Sequence, residues 1–231
     1  MEKLKSIEVE RRFPVLPDVF PQVEANSSLR KMKEYNKIVD TYYMFNLLKR
    51  VMVRARHSEQ VFPKPERKFE LCAKELFSPS EMEVAFSMSE VSVNVDSFEG
   101  LQNILEKVKE QEFNIEGSRR SYRFQEPTGP FPTLTITTDH IDNLHHKEWI
   151  EIEIMLGLQE AGNQPTYSLA LNTIADAAQK GFGVRREYIT NPDIFPTYPE
   201  IHFWENWYSK DWCADHGEIC KGMNPNWPSM M

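Results

Sequence analysis

The stretch SIEVERRF, residues Ser6 to Phe13, alternates apolar and charged side chains. Glu8, Glu10 and Arg12 fall on one side of the alternation, and Ile7 and Val9 fall on the other. A period of two predicts a β-strand with one charged face. In an open antiparallel sheet such a face points to water, whereas in a closed barrel it lines the lumen. The strands that follow decide between these two arrangements.

The composition is that of a globular protein without a nucleic-acid surface. The chain has 231 residues and a formal net charge of −8, which disfavours a nucleic-acid partner. Three cysteines are too few for a disulfide framework and fit a reducing compartment. We find neither a secretory signal nor an apolar run long enough to span a membrane. The expectation is a cytoplasmic protein that acts as a monomer without a membrane partner.

Strand-like alternation recurs along most of the chain. The segment Phe98 to Glu112 instead shows the i, i+3, i+4, i+7 spacing of an amphipathic helix. A second helix is predicted from Thr166 to Lys180, ended by Gly181. About eight strands joined by hairpin-length connections predict an α+β protein with an eight-stranded antiparallel β-barrel and flanking helices. We expect one domain over residues 1–190 and an irregular extension, rich in Pro and Trp, over residues 191–231.

Ionisable residues occur at i, i+2 spacing on six of the predicted strands. The acids are Glu8, Glu10, Glu81, Glu83, Asp139, Glu151 and Glu153, and the bases are Arg12, Arg54, Arg56, Lys74 and either Arg119 or Arg120. Carboxylate oxygens suit Mg²⁺ or Mn²⁺, whereas arginine and lysine suit a polyphosphate. A lumen lined by both sets would bind a metal–triphosphate complex. The alternative is a set of solvated strand faces, which is the common meaning of any single E-x-E pair.

The order of these motifs resembles the CYTH superfamily, the triphosphate tunnel metalloenzymes, and within it most closely the thiamine triphosphatases. The family's E-x-E-x-K strand stands here as Glu8, Glu10 and Arg12, and a DTYY motif follows at Asp40 to Tyr43. The later family motifs are matched in order by Arg54 and Arg56, Lys74, Glu81 and Glu83, Arg120 (alternatively Arg119), Asp139, Glu151 and Glu153, and Arg186 (alternatively Arg185). The resemblance covers residues 5–190.

The resemblance implies an eight-stranded triphosphate tunnel and a metal-dependent hydrolase of a small-molecule triphosphate. The implied reaction converts thiamine triphosphate to thiamine diphosphate and phosphate with Mg²⁺, or Mn²⁺, as cofactor. The implied substrate-binding residues are Arg54, Arg56, Lys74, Arg120 and Arg186, and the implied metal ligands are Glu8, Glu10, Glu81, Glu83, Asp139, Glu151 and Glu153. Arg12 and Lys74 are the implied catalytic residues, with Arg12 at the phosphate rather than acting as a base.

Other functions remain open at this stage. An inorganic tripolyphosphatase or a class IV adenylyl cyclase would use the same tunnel. A triphosphate-binding protein with weakened catalysis is suggested by three departures from the family pattern. Arg12 stands where the family has lysine, Thr137 stands where an aspartate is expected, and Met44 and Phe45 follow DTYY where family members often have another acid. A scaffold with an open sheet and solvated charges is the remaining alternative.

Overall fold

The structure is a computed structural model that describes most of the first 184 residues and a short part of the C-terminal segment. The described residues are 6–46, 51–77, 86–94, 103, 105, 107, 113–126, 130–157, 160, 163–184, 198–199 and 201–202. Of the sequence-predicted site residues, Glu81, Glu83 and Arg186 lie outside this set. For Lys74 the strand position is described and the side chain is not.

The described residues form eight β-strands, two α-helices and a π-helical turn. The strands are β1 (Ser6–Pro14), β2 (Leu29–Asn46), β3 (Val51–Phe62), β4 (Glu66–Phe77), β5 (Phe86–Asn94), β6 (Phe113–Phe124), β7 (Thr135–Ile141) and β8 (Glu148–Gly157). The helices are α1 (Val19–Ala25) and α2 (Gln164–Asp176), and the π-helical turn Ala177–Gly181 directly continues α2. In the predicted helix at residues 98–112, the three described residues 103, 105 and 107 are helical.

All strand pairings are antiparallel, in the order β1-β5-β4-β3-β2-β6-β7-β8. The outer strands of this order also pair with each other, because β1 contacts β8 as well as β5. Nine residue pairs join β1 to β8, whereas three join β1 to β5, so the β1–β5 contact is the weakest join of the described sheet. The predicted α+β class with an antiparallel sheet is confirmed.

The apolar core lies on the outer face of the sheet, beneath α2. Ile150, Ile152 and Ile154 of β8 are fully buried there, and they belong to one cluster with Tyr167 and Ile174 of α2. The helix begins at Asn163, whose side-chain oxygen accepts a hydrogen bond from the backbone N–H of Thr166 at 3.2 Å. Because strand side chains alternate, the residues between these isoleucines point to the inner face.

The inner face is buried although it carries charges. The exposed fractions are 1% for Glu10, 1% for Asp139 and 2% for Glu151. Carboxylates on a solvated strand face would be largely exposed, so the solvated-face interpretation is wrong for these three residues. Ionic groups buried this deeply require partners of opposite charge, and arginines that could serve as such partners line the inner cavity.

A membrane-spanning helix is absent from the described part of the chain, where no helix is both long and apolar enough to cross a bilayer.

Candidate metal and anion site

Charged side chains surround a cavity of about 210 Å³ on the inner face of the sheet. This cavity, the acidic chamber, is bordered by more carboxylates than cations among the described residues. The carboxylates are Glu8, Glu10, Asp40, Glu116, Asp139, Glu151 and Glu153, and the cations are Arg12, Arg54, Arg56 and Arg119. Among the described residues, the predicted acids and the predicted bases Arg12, Arg54, Arg56 and Arg119 therefore meet in one place.

Three carboxylates of the acidic chamber form a cluster suited to a divalent cation. One oxygen from each of Glu8, Glu10 and Glu153 lies within 4.8 Å of the others. The register of β1 on β8 sets this proximity, because Glu10 lies opposite Glu153. Burial, together with the negative charge and hydrogen bond of Glu8, raises the pKa of Glu153 to about 9. A hard cation such as Mg²⁺ fits this donor set, since it binds carboxylate oxygens and would relieve their mutual repulsion.

Asp139 and Glu151, also predicted as metal ligands, are engaged by arginines instead. Arg119 donates two hydrogen bonds to Asp139, from Nε and from an Nη atom, both at 2.7 Å. Glu151 forms ion pairs with Arg12 at 2.5 Å and with Arg119 at 3.6 Å. Burial by itself would lower the pKa of Arg119, but Asp139 and Glu151 raise it well above its usual value. The three-carboxylate cluster therefore lies next to an ion-pair network, and Arg12 joins the two through Glu10 and Glu151.

Arg12 lies between two acids on the inner face. Its guanidinium pairs with Glu10 at 2.7 Å as well as with Glu151, and it stacks over the ring of Tyr198 at 5.0 Å. Burial alone would lower the pKa of Arg12, but Glu10 and Glu151 raise it well above the ordinary value. Arg12 is therefore a permanent cation held beside the carboxylate cluster. A phosphate contact by Arg12 stays a prediction.

Arg54 and Arg56 share one carboxylate, Asp40, that is not among the sequence-predicted site residues. Asp40 of β2 accepts hydrogen bonds from Arg56 at 2.6 and 2.7 Å and from Arg54 at 3.0 Å. Burial favours the neutral acid and by itself would raise the pKa of Asp40. The charges of Arg54 and Arg56 together have the larger effect and lower this pKa to about 2. The sequence does mark Asp40 as unusual, because it is the one acid in the run IVDTYY. In the sheet it lies opposite Arg56 of the VRAR strand.

The structure places Arg119 at the inner cavity, and not Arg120, which the sequence prediction preferred. Arg119 borders the inner cavity, whereas Arg120 pairs with Glu34 and Glu24 at 2.9 and 2.8 Å and its side chain is 39% exposed. Tyr122, two residues after Arg120, is buried in the outer core. Because alternate strand residues share a face, this tyrosine could have placed Arg120 outside and Arg119 inside.

A second residue that the sequence did not reveal comes from the C-terminal segment. The hydroxyl of Tyr198 donates a hydrogen bond to Asp139 at 2.7 Å, and its ring packs edge-on against Trp149 at 5.8 Å. Burial and the nearby carboxylates Asp139 and Glu151 raise the pKa of Tyr198 well above its usual value, so it stays a proton donor. Nothing in the periodicity of this Pro- and Trp-rich segment indicates that contact. Tyr198 lies within residues 191–231, which were predicted as an irregular extension.

A second cavity of about 350 Å³ adjoins the first. Five residues border both cavities, namely Ile38, Arg54, Arg56, Arg119 and Glu153. This basic chamber has six cationic side chains against two carboxylates among its described lining residues. The cations are Lys33, Arg54, Arg56, Lys68, Arg119 and Arg123, and the carboxylates are Glu70 and Glu153. Charge therefore changes sign from one cavity to the next.

The ion pairs of Asp40 with Arg54 and Arg56 predict that the free energy of unfolding falls at low pH. The folded-state pKa of Asp40, about 2, lies below the ordinary value of 3.8. A depressed carboxyl pKa stabilises the fold above pH 4, and the contribution, about 2 kcal/mol, is lost as the pH falls through 2. Urea denaturation at pH 5 and at pH 2 measures this loss. An unfolding free energy that stays constant over that interval would contradict the ion pairing of Asp40.

Comparison with known proteins gives likenesses of fold alone. No protein-family model and no curated protein matches the chain. A conserved hypothetical protein from Pyrococcus furiosus has a similar structure, with a TM-score of 0.60 and 18% identity over 84% of this chain and 99% of that one. The PH1819 protein of Pyrococcus horikoshii has a TM-score of 0.58 and 17% identity over 77% of this chain and 91% of its own.

Proposed function

We propose that this chain is a Mg²⁺-dependent triphosphate hydrolase of the CYTH type, whose eight strands enclose a triphosphate tunnel. The observation that carries the proposal is the meeting of the cluster Glu8, Glu10 and Glu153 with buried arginines in one cavity. Three carboxyl groups that converge within 4.8 Å repel one another when ionised unless a cation binds them, so this arrangement is better explained by binding than by packing. We propose that the protein works in the cytoplasm as a monomer.

The arginines would hold the anion and neutralise the charge that develops during cleavage. Arg54, Arg56 and Arg119 border the cavity and present planar donors that suit phosphate oxygens. Phosphoryl transfer depends mainly on positioning and charge neutralisation, which such fixed cations supply. Glu8, Glu10 and Glu153 would hold Mg²⁺, which when bound supplies further charge neutralisation at the phosphate oxygens. The predicted catalytic contributions of Arg12 and Lys74 belong to this proposal.

Two substrates are proposed, in order. Thiamine triphosphate, hydrolysed to thiamine diphosphate and phosphate, is favoured by the motif resemblance. Inorganic tripolyphosphate is the second candidate, because the linings of both cavities are mainly charged and polar, with few apolar side chains that could receive an organic ring.

A substrate panel tests the proposal. Phosphate release from thiamine triphosphate, inorganic tripolyphosphate and ATP is measured with Mg²⁺ and with EDTA, and cyclic AMP formation is measured from ATP. We expect Mg²⁺-dependent release from one of the first two substrates and no cyclic AMP. A folded protein that releases phosphate from none of them would contradict the hydrolase, and tight binding without release would favour a triphosphate-binding protein instead.

A further inference from the structure

Tyr198 and Pro199 are the two described lining residues of the acidic chamber that do not belong to a strand. Every other described residue around that cavity lies on a strand, where the register of the sheet fixes its position. The register cannot place Tyr198, because this residue comes from the C-terminal segment. Its own contacts must therefore hold it at the cavity.

The described residues beside Tyr198 anchor it to the sheet. Ile201 is fully buried, and the ring of His202 stacks on Phe113 of β6 with the centroids 4.9 Å apart and the planes 10° apart. The ring of Tyr198 itself packs edge-on against Trp149 of β8, with the centroids 5.8 Å apart. The segment is thus attached to two strands, so that Tyr198 has a defined place at the chamber.

The hydroxyl of Tyr198 adds a third donor to the carboxylate of Asp139. Arg119 donates its Nε–H to Oδ1 and an Nη–H to Oδ2, both at 2.7 Å, and Tyr198 donates to the same Oδ2 at 2.7 Å. Asp139 is 1% exposed and Tyr198 is 7% exposed, so water does not compete for these hydrogen bonds. The two parallel bonds fix the guanidinium of Arg119 against the carboxylate, and the tyrosine limits rotation of the carboxylate. The orientation of Arg119 in the chamber therefore depends in part on Tyr198.

The ring of Tyr198 makes a separate contact with Arg12. The guanidinium carbon of Arg12 lies 5.0 Å from the ring centroid, which is within the range of a cation–π interaction. Two carboxylates, those of Glu10 and Glu151, pair with the same guanidinium. An aromatic ring over its face and carboxylates at its edge leave Arg12 little freedom to turn.

We propose that Tyr198 is a positioning residue of the site, which orients Arg12 through its ring and Arg119 through Asp139. The C-terminal segment is then a part of the functional unit and not a separate extension. The inference rests on the proposed hydrolase, in which fixed arginines neutralise the charge that develops at the phosphate oxygens. It adds a residue that none of the sequence motifs indicates.

The two sets of arginines predict a difference between the effects on kcat and on KM. Asp40 is the shared acceptor of Arg54 and Arg56, so these two cations keep their places when Tyr198 is replaced. We expect Tyr198→Leu to lower kcat by at least about tenfold and to change KM by less than about threefold, because a small displacement of a charge-neutralising group mainly costs rate. Tyr198→Phe keeps the ring over the guanidinium and should recover part of the lost kcat.

The matched controls are Tyr122→Leu and Tyr122→Phe. Tyr122 is also a buried tyrosine, but it lies in the outer core and borders neither chamber, so its replacement should leave kcat unchanged. Rates are measured with Mg²⁺ and whichever of thiamine triphosphate and inorganic tripolyphosphate the wild type cleaves, and circular dichroism shows that each variant is folded. An unchanged kcat in Tyr198→Leu, a loss confined to KM, or an equal loss in Tyr122→Leu would overturn the inference.

Nuclear magnetic resonance of the arginine Nε–H groups tests the positioning without any activity. The Nε–H of Arg119 donates to the buried Asp139, so its hydrogen exchange should be slow in the wild type. We expect this exchange to become at least about tenfold faster in Tyr198→Leu and to stay unchanged in Tyr122→Leu. If that difference is found while the wild type cleaves no triphosphate, the hydrolase is wrong and the positioning of Arg119 by Tyr198 stands. Equal exchange in Tyr198→Leu and the wild type would overturn the positioning, whatever the activity.

Discussion

Replacing Glu8 with glutamine is expected to lower the Mg²⁺-dependent rate of triphosphate hydrolysis by at least about 100-fold. The substitution keeps the size of the side chain but removes one of the three carboxyl groups that converge within 4.8 Å. Changes to groups that only support a metal ligand already cost about 10- to 100-fold, so the loss of a ligand should cost at least as much. The Mg²⁺ concentration needed for half-maximal rate should rise in parallel.

The matched control for this prediction is Glu116→Gln. Glu116 borders the same cavity but is not part of the carboxylate cluster, so its loss changes the local charge equally without removing a metal ligand. Rates are measured over a Mg²⁺ titration for both variants, with circular dichroism to show that each is folded. Full activity in Glu8→Gln would contradict the metal assignment, and equal losses in the two variants would indicate a general charge effect.

The period of two explains what could be predicted from the sequence. Glu8 and Glu10 flank the buried Val9 on β1, as Glu151 and Glu153 flank the buried Ile152 on β8, and the two strands pair antiparallel. Repeated charged faces on several strands indicated that these residues would meet, and they do. The α+β class followed from the same alternation together with the helix predicted from Thr166 to Lys180. Such local patterns are reliable because they depend on neighbouring residues alone.

Residue partners could not be predicted in the same way, because they depend on register and on distant parts of the chain. The pairing of β2 with β6 shifts twice, between Lys31 and Lys33 and between Tyr35 and Ile38, so alternation on one strand does not transfer to the other. The ion pairs of Asp139 and Glu151 with arginines likewise follow from three-dimensional placement. Tyr198 reaches Asp139 across 59 positions of the sequence, and no local pattern encodes that contact.

Replacing Asp40 with asparagine is expected to lower the free energy of unfolding by roughly 3 kcal/mol or more. Asp40 is 5% exposed and is the shared acceptor for Arg54 and Arg56, whose side chains are 14% and 17% exposed. The variant would leave two like charges buried next to each other without that carboxylate. Breaking a buried pair by removing one partner is costly because the remaining charge loses that counterion and stays largely shielded from water. Urea denaturation at pH 7 measures the effect.

The matched control for Asp40→Asn is Glu34→Gln. Glu34 also accepts from two cations, Lys31 and Arg120, each at 2.9 Å, but its side chain is 20% exposed and Arg120 is 39% exposed. Solvent screening limits such a surface pair to about 1 kcal/mol or less, so burial rather than the number of ion pairs should decide the difference in stability between the two variants.

Inorganic tripolyphosphate in EDTA should stabilise Asp40→Asn more than the wild type, because Arg54 and Arg56 of the variant would bind the anion without competition from Asp40. Equal destabilisation by the two substitutions would show that the inner ion pairs are as well solvated as the outer ones, which would contradict a buried anion site.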